Sequence, residues 1–209
     1  DSRPGRIHVL AGGTVASDAT GFPGGDLPKG ITSGYGPGGG KQYGGGGYGG
    51  RGGYGGGDAY GAEQYKTPLL PGSGGGTWNN GNGDYGGTGG GVVWLEAERR
   101  LLVDGTVSAN GASMANYSGG GAGGSVYLRG AYFDGGGIIR ANGGNGRTAG
   151  NGSGSGGGGR VAIWRRTHGF TGTAEQPVAG DTYSVGYRGE PGTIYWGDIP
   201  AQGTILLLR

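Results

Sequence analysis

The chain has 209 residues, of which 64 are glycine, and its formal net charge is only +2. Average proteins contain about 7% glycine, and hydrophobic residues make up only 32% of this chain, so the composition excludes a thick aliphatic core. Collagen is excluded because no G-x-y period is sustained and only 9 prolines are present. The small net charge gives little electrostatic reason to bind nucleic acid or an anionic membrane, and we expect no nucleic-acid partner.

Several features of the chain predict export. It contains no cysteine, which excludes disulfides and thiol chemistry. It begins with Asp1 rather than methionine, as a processed product that has lost a signal peptide would. No apolar run approaches the roughly 18 residues that a membrane span needs, so no membrane-spanning segment is expected. We therefore expect an extracellular or cell-surface protein.

The chain divides by composition into three regions, and the first two differ sharply from each other. Residues 1–17 contain a predicted first strand pair, Arg6–Leu10 and Gly13–Ala16. Residues 18–91 form a low-complexity insertion rich in glycine and tyrosine. The sequence leaves open whether this insertion packs as polyproline-II-like layers or as irregular loops.

Residues 92–209 contain a repeated pattern of a glycine followed by a predicted strand. Each predicted first strand follows a glycine, and these glycines are spaced 33, 35 and 33 residues apart: Gly91, Gly124, Gly159 and Gly192. A second predicted strand follows in three of the repeats, at Thr106–Gly111, Ile138–Gly143 and Phe170–Ala174. The run Gly5–Val9 matches Gly159–Ile163, so the N-terminal pair is predicted to be a further repeat. A fixed period in this range indicates a solenoid or an array.

These patterns predict a single all-β domain. The favoured fold is a glycine-rich parallel β-solenoid-like array of short strands, with residues 18–91 as a long Gly/Tyr-rich insertion and strand repeats of about 33–35 residues in 92–209. The alternative is a β-sandwich with polyproline-II-like or polyglycine-like layers.

Two glycine-led runs carry a resemblance to a known family. Gly119–Leu128 (GGGAGGSVYL) and Gly156–Trp164 (GGGGRVAIW) resemble glycine-rich repeats of large extracellular proteins from environmental bacteria. The resemblance implies a surface or matrix protein with a β-solenoid-like fold. It implies no established activity, so it brings no catalytic residue. The Gly36–Gly61 segment is more loosely similar to glycine-rich phage adhesins, whose glycines pack in polyproline-II-like layers.

No residue pattern indicates catalysis, a metal or a cofactor. The two histidines, His8 and His168, lie 160 residues apart, and the acidic residues are scattered without ligand spacing. No phosphate-binding G-x-x-x-x-G-K-[ST] motif occurs. We therefore expect no enzyme. A solenoid carbohydrate-active enzyme with a hidden carboxylate pair is kept as the third hypothesis.

The aromatic residues have two interpretations. Five tyrosines of the insertion either pack against glycine backbone or bind a glycan: Tyr43, Tyr48, Tyr54, Tyr60 and Tyr65. The repeats carry a second set that either stacks in register along the array or forms a sugar-binding strip: Trp94, Tyr127, Trp164, Tyr195 and Trp196. Arg51-Gly52-Gly53 resembles an RNA-binding tract, but a single arginine favours a structural role.

Apolar residues near the two ends of the sequence predict assembly. The last apolar run consists of Thr204, Ile205, Leu206, Leu207 and Leu208, which would form an exposed edge strand. We expect it to dock on another copy near Ile7, Val9 and Leu10, because an uncapped solenoid invites stacking. The leading hypothesis is an extracellular structural protein that polymerises with copies of itself. The alternative is a glycan-binding surface or phage-type adhesin. Asn116 and Asn151 begin possible glycosylation sequons.

Overall fold

The chain is built from parallel β-sheets. The computed structural model describes residues 4–78, 85–115, 117–147 and 152–200. Within these residues ten strands form two parallel sheets, and the helical turns are short 3-10 segments at Leu27–Lys29, Ala62–Gln64 and Val185–Tyr187. The expectation of an all-β chain with parallel sheets is therefore confirmed. In the described part of the chain, no helix has the length and apolar character needed to cross a membrane.

The two sheets differ in the length of their strands. The long sheet contains β1 (Arg6–Val9), β3 (Val92–Glu96), β4 (Arg100–Val103), β6 (Ser125–Gly135), β8 (Arg160–Phe170) and β10 (Thr193–Asp198). The short sheet contains β2 (Thr14–Ala16), β5 (Thr106–Ser108), β7 (Ile138–Arg140) and β9 (Thr173–Ala174). Valine, isoleucine, threonine and aromatic residues dominate these segments, as expected for half-buried strands.

The chain passes through the sheets in the same order each time, and we call one such passage a rung. In each rung it crosses the first half of the long sheet, then the second half, and then the short sheet. In the first half, Val92 pairs with Ser125, Ser125 with Arg160 and Arg160 with Thr193, at separations of 33, 35 and 33 residues. The strands β6 and β8 are long enough to span both halves.

The N-terminal strand occupies an unexpected position. β1 pairs with β4, with Arg6 opposite Arg100, so it belongs to the second half of the long sheet. The predicted equivalence of Gly5–Val9 with the Gly159–Ile163 run is therefore wrong. The reason is that β4 has no preceding glycine to mark it, while β6 continues without a break from the first half into the second.

A thin core lies between the two sheets. Its members are mostly valine, leucine, isoleucine and alanine, with Phe133 and Phe170 as the aromatic residues. Val126, Val161 and Val107 are fully buried in it. Each rung contributes a few such side chains, so the core runs along the stack of rungs rather than forming a central ball.

Glycine segments connect successive rungs and pair through their backbones. In residues 119–124, successive N–H groups donate to three different partner segments in turn. Gly119 and Ala122 donate to the carbonyls of Gly76 and Ser73 in the first segment. Gly120 and Gly123 donate to Gly154 and Gly157 in the second segment, and Gly121 and Gly124 donate to Ala112 and Ala109 in the third. The partner thus recurs every third residue. Three residues per turn is the repeat of a polyproline-II helix, so these segments form a hydrogen-bonded bundle.

The insertion joins the same bundle, and the close spacing of its segments requires glycine. Gly72 and Gly75 donate to the carbonyls of Gly90 and Gly87, again with the three-residue repeat. A Cβ atom at Gly156 would stand inside the carbonyl of Gly121. Hence these parts of the insertion pack against the connections through backbone hydrogen bonds at spacings that only glycine permits.

Candidate functional site

The first half of the long sheet has a free edge at each end. Within the described residues, β10 pairs only with β8, and β3 pairs only with β6. Each outer edge presents backbone N–H and C=O groups to which another parallel strand can bond. Free edges of this kind are templates for pairing with a second chain.

Incompletely buried core residues cluster at these two ends. Six hydrophobic side chains pack against the core but stay partly exposed. Three of them lie in the outermost strands or beside them at one end and three at the other: Ile7, Val15 and Leu95, then Ala174, Ile194 and Trp196. The core of the described residues is therefore open at both ends of the stack.

The two ends have complementary steps. The first half of the long sheet holds β3, β6, β8 and β10, whereas the second half holds β1, β4, β6 and β8. The short sheet holds β2, β5, β7 and β9. Among the residues that the structure describes, the first half therefore starts and ends one rung later than the other two columns. In these residues β1 and β2 project by one rung at one end, and β10 projects by one rung at the other.

The predicted assembly residues are distributed unevenly over these ends. Ile7 is half-buried in β1, and Val9 is buried in the chain's own core. Leu10 is 62% exposed just after β1. The predicted docking strand, Thr204–Leu208, lies outside the described residues, so its role stays a prediction.

The insertion covers the outer face of the long sheet through Arg160. This arginine is only 3% exposed. Its guanidinium donates to the carbonyls of Tyr60, at 2.8 Å, and Tyr48, at 3.4 Å, and to the hydroxyl of Thr193 at 3.2 Å. It also lies 5.2 Å from the centre of the Tyr48 ring. Arg160 thus ties two strands of the sheet to the insertion.

Tyr48 and Tyr60 have packing roles beside Arg160. The Tyr48 side chain is fully buried, and its hydroxyl lies 2.7 Å from the Oγ of Ser125. The Tyr60 hydroxyl donates to the carbonyl of Pro71. Burial raises the pKa of Tyr48 and raises the pKa of Tyr60 to about 12, so both phenols stay neutral hydrogen-bond donors. Of the five tyrosines, these two are closed to a large ligand.

The repeat aromatics stack in part. Trp94 lies over Tyr127 with ring centres 3.8 Å apart and an angle of 17° between their planes. Ala162 follows in the same column, and Tyr195 after it. Trp164 lies 5.4 Å from Tyr195, and its indole N–H donates to the carbonyl of Lys66 at 2.8 Å. The insertion also covers Tyr195 with the ring of Tyr65.

A second group of aromatic residues gathers at the tips of the connections. This aromatic cluster consists of Tyr43, Tyr54, Trp78, Tyr117 and Tyr187. Tyr43 stacks on Trp78 with ring centres 5.2 Å apart and also contacts Tyr54 and Tyr117. Tyr54 contacts Tyr187 at 4.3 Å. The four tyrosines of the cluster line two open cavities of about 240 and 360 Å³, so these rings have space beside them for a ligand.

Sequence reasoning anticipated only part of this cluster. Tyr43 and Tyr54 are among the tyrosines predicted from the sequence to pack or bind a glycan, whereas Trp78, Tyr117 and Tyr187 are not. These three residues belong to different connections, and the glycine bundle brings them together. Their common signal in the sequence is only an aromatic residue close to glycine in a connecting segment.

The histidines and the arginine considered in the sequence analysis each contact a neighbouring side chain. His8 donates to the carboxylate of Asp104 at 2.8 Å, and this hydrogen bond lowers the pKa of Asp104. His168 packs on the Trp196 ring. Arg51 pairs with Asp58 at 3.1 Å rather than standing free. In the described ranges no group of three His, Asp or Glu residues is arranged to hold a metal. Asn116 and Asn151 lie outside the described residues.

Comparison with known proteins finds no relative. No family model matches the chain, and neither a curated protein nor a solved structure is similar to it. A function for this chain therefore has to be inferred from its own residues.

Proposed function

We propose that this chain is a non-catalytic, extracellular structural protein whose copies stack end to end as a continuous β-solenoid. The observation that carries the proposal is the pair of complementary steps at the two ends. A second copy displaced along the stack by four rungs places its β3 beside β10 and its β1 beside the second half of β8. The same displacement places its β2 beside β9. All three columns then continue together.

The side chains along this joint are compatible. Continuing the observed register sets Ile194 opposite Val93 of the next copy, and Trp196 opposite Leu95 of the next copy. The aromatic pair of Tyr195 with Trp94 of the next copy repeats the Trp94–Tyr127 stack found within the chain. Each contact buries apolar surface that is partly exposed at a free end, and apolar burial stabilises association.

The second half of the joint adds two further contacts. Continuing its register sets His168 opposite Ile7 of the next copy, and Phe170 opposite Val9 of the next copy. This gives the N-terminal strand the assembly role expected from the sequence. Because the two surfaces are different, the contact is heterologous. Because each copy is displaced along the stack of rungs, the contact does not close into a ring, so it generates a filament.

Substitutions at the two ends test the joint. Trp94→Lys places a charge at the β3 end, next to Glu96, and Tyr195→Glu places one at the β10 end, next to Lys66. Each variant alone is expected to remain monomeric, because the introduced charge loses hydration at the joint and faces an uncharged aromatic residue of the next copy. Mixing the two variants should restore association, first as dimers, because the unchanged β10 end of the Trp94→Lys chain meets the unchanged β3 end of the Tyr195→Glu chain. Pairing of the introduced lysine with the introduced glutamate then joins these dimers into longer species. Sedimentation velocity measures the species.

The matched control is Tyr35→Lys, which introduces the same charge at an exposed tyrosine in the insertion. It should assemble as the original chain does. Circular dichroism should show that all three variants are folded. Assembly that persists in both single variants, or a mixture that stays monomeric while both variants are folded, would remove this joint from consideration.

A further inference from the structure

The aromatic cluster is independent of the open ends. Its five residues come from the insertion and from the connections after two different rungs, and none lies in a strand. The Tyr54 side chain is 46% exposed and that of Trp78 is 37% exposed. The cluster thus combines rings fixed by mutual stacking with faces that remain open to solvent.

The two cavities beside these rings have the size and lining of a ligand site. The smaller is lined by Tyr43, Tyr54, Tyr117 and Tyr187 together with Gly152. The larger is lined by Lys41, Gln42, Tyr43, Tyr54 and Gly55. Ligand sites are typically concave and aromatic, with a few polar groups that fix orientation. Phenol hydroxyls, an amide and one ammonium group provide such polar groups here.

Backbone strain coincides with this site. Gln42 has φ +47° and Tyr54 has φ +49°, in the left-handed region that side chains other than glycine rarely adopt. Only one other non-glycine residue of the described chain, Ala19, has a positive φ. Strained conformations persist where the surroundings impose them, and they concentrate at binding sites. At Tyr54 the strain holds the ring against Tyr187.

The chemistry of the cluster favours a sugar over a nucleic acid. An aromatic face accepts the apolar C–H face of a pyranose ring, while the neighbouring phenols and the Gln42 amide can bond its hydroxyls. Binding of a nucleic acid needs several phosphate-neutralising cations. Among the described residues, Lys41 is the one charged residue that lines either cavity. The Arg147 guanidinium is stacked 3.9 Å from the centre of the Tyr117 ring, and nearby Arg51 is already paired with Asp58.

We propose that the aromatic cluster binds a carbohydrate chain, with pyranose units stacked on Trp78 and Tyr54. The proposal does not depend on end-to-end stacking, because it uses none of the strand residues. Affinity electrophoresis of the full chain through native gels containing laminarin, xylan, hydroxyethyl cellulose or alginate is the test. At least one polysaccharide should retard the protein.

Two variants assign the retardation to the cluster. Trp78→Ala removes one stacking face, and Tyr54→Gly removes another while relieving the positive φ, so it should fold at least as well as the original chain. Each should weaken binding at least tenfold. Tyr132→Ala, which removes an exposed tyrosine of the long sheet, should leave binding unchanged.

Three results would overturn the proposal. The first is the absence of retardation by all four polysaccharides. The second is retardation that survives in the folded Tyr54→Gly variant. The third is equally tight binding of a single-stranded oligonucleotide that the same two variants abolish, because the cluster would then be a base-stacking surface. The monomeric Trp94→Lys variant should bind as the original chain does, which separates this test from the assembly test.

Discussion

Replacing Gly156 with alanine is expected to lower the free energy of unfolding by about 3 kcal/mol, at the upper end of the usual cost of overpacking. The added Cβ would overlap the carbonyl of Gly121, and that contact is with backbone, which cannot rotate away. Gly156 also donates to Gly144 within the bundle. Moving the segment to make room therefore breaks hydrogen bonds on its other sides. Thermal unfolding should show a fall of roughly 6–12 °C in Tm.

The matched control for this change is Gly136→Ala. A Cβ at Gly136 would have only the Thr171 hydroxyl near it, at 3.9 Å, and Gly136 has no positive φ. Its stability should stay within about 0.5 kcal/mol of the original, because surface changes of this kind rarely exceed that. Equal Tm values for the two variants would contradict a close-packed glycine bundle.

Replacing Arg160 with alanine is expected to release the insertion from the long sheet. The change removes the guanidinium donor from the carbonyl of Tyr60, leaves the carbonyl of Tyr48 with only the Tyr60 N–H, and opens a cavity beside the Tyr48 ring. Together these effects should cost about 2–4 kcal/mol of stability. Limited trypsin digestion should cut after Lys66, whose carbonyl is held by Trp164 in the intact chain, faster than in the original protein.

Arg166→Ala provides the control on the same strand. Arg166 is exposed and, within the part of the chain that the structure describes, donates only to the carbonyl of Pro200, at 3.1 Å. Its loss should neither change the rate of cleavage after Lys66 nor lower stability by more than about 0.5 kcal/mol. If Arg160→Ala and Arg166→Ala behave alike, then Arg160 does not fasten the insertion.

The positions of many strands could be predicted from the sequence, because their residue types are typical of strands. Runs such as Val92–Leu95 and Arg160–Trp164 are rich in β-branched and aromatic residues and follow a glycine. The structure contains strands at these positions. The register of β1 could not be read, because Arg100–Val103 has no leading glycine and follows charged residues. A strand recognised by its flanking glycine is missed when the chain continues directly from the preceding strand.

The glycine bundle and the aromatic cluster could not be derived from sequence for a physical reason. Segments such as 119–124 and 156–159 pair through backbone groups, and glycine has no side chain to specify which segments meet. Tyr43, Tyr117 and Tyr187 become neighbours only through that pairing. The composition could therefore predict close packing, but not the partners that it brings together.

The axial repeat of the assembled protein tests the proposed stacking most directly. Each column contains four strands, and neighbouring strands lie about 4.8 Å apart, so stacking by four rungs predicts a subunit repeat of about 19 Å. Electron microscopy of the native protein, with the repeat measured from filament images, should show this spacing. Discrete particles under all assembly conditions, or filaments whose repeat differs clearly from about 19 Å, would contradict end-to-end stacking of the rungs.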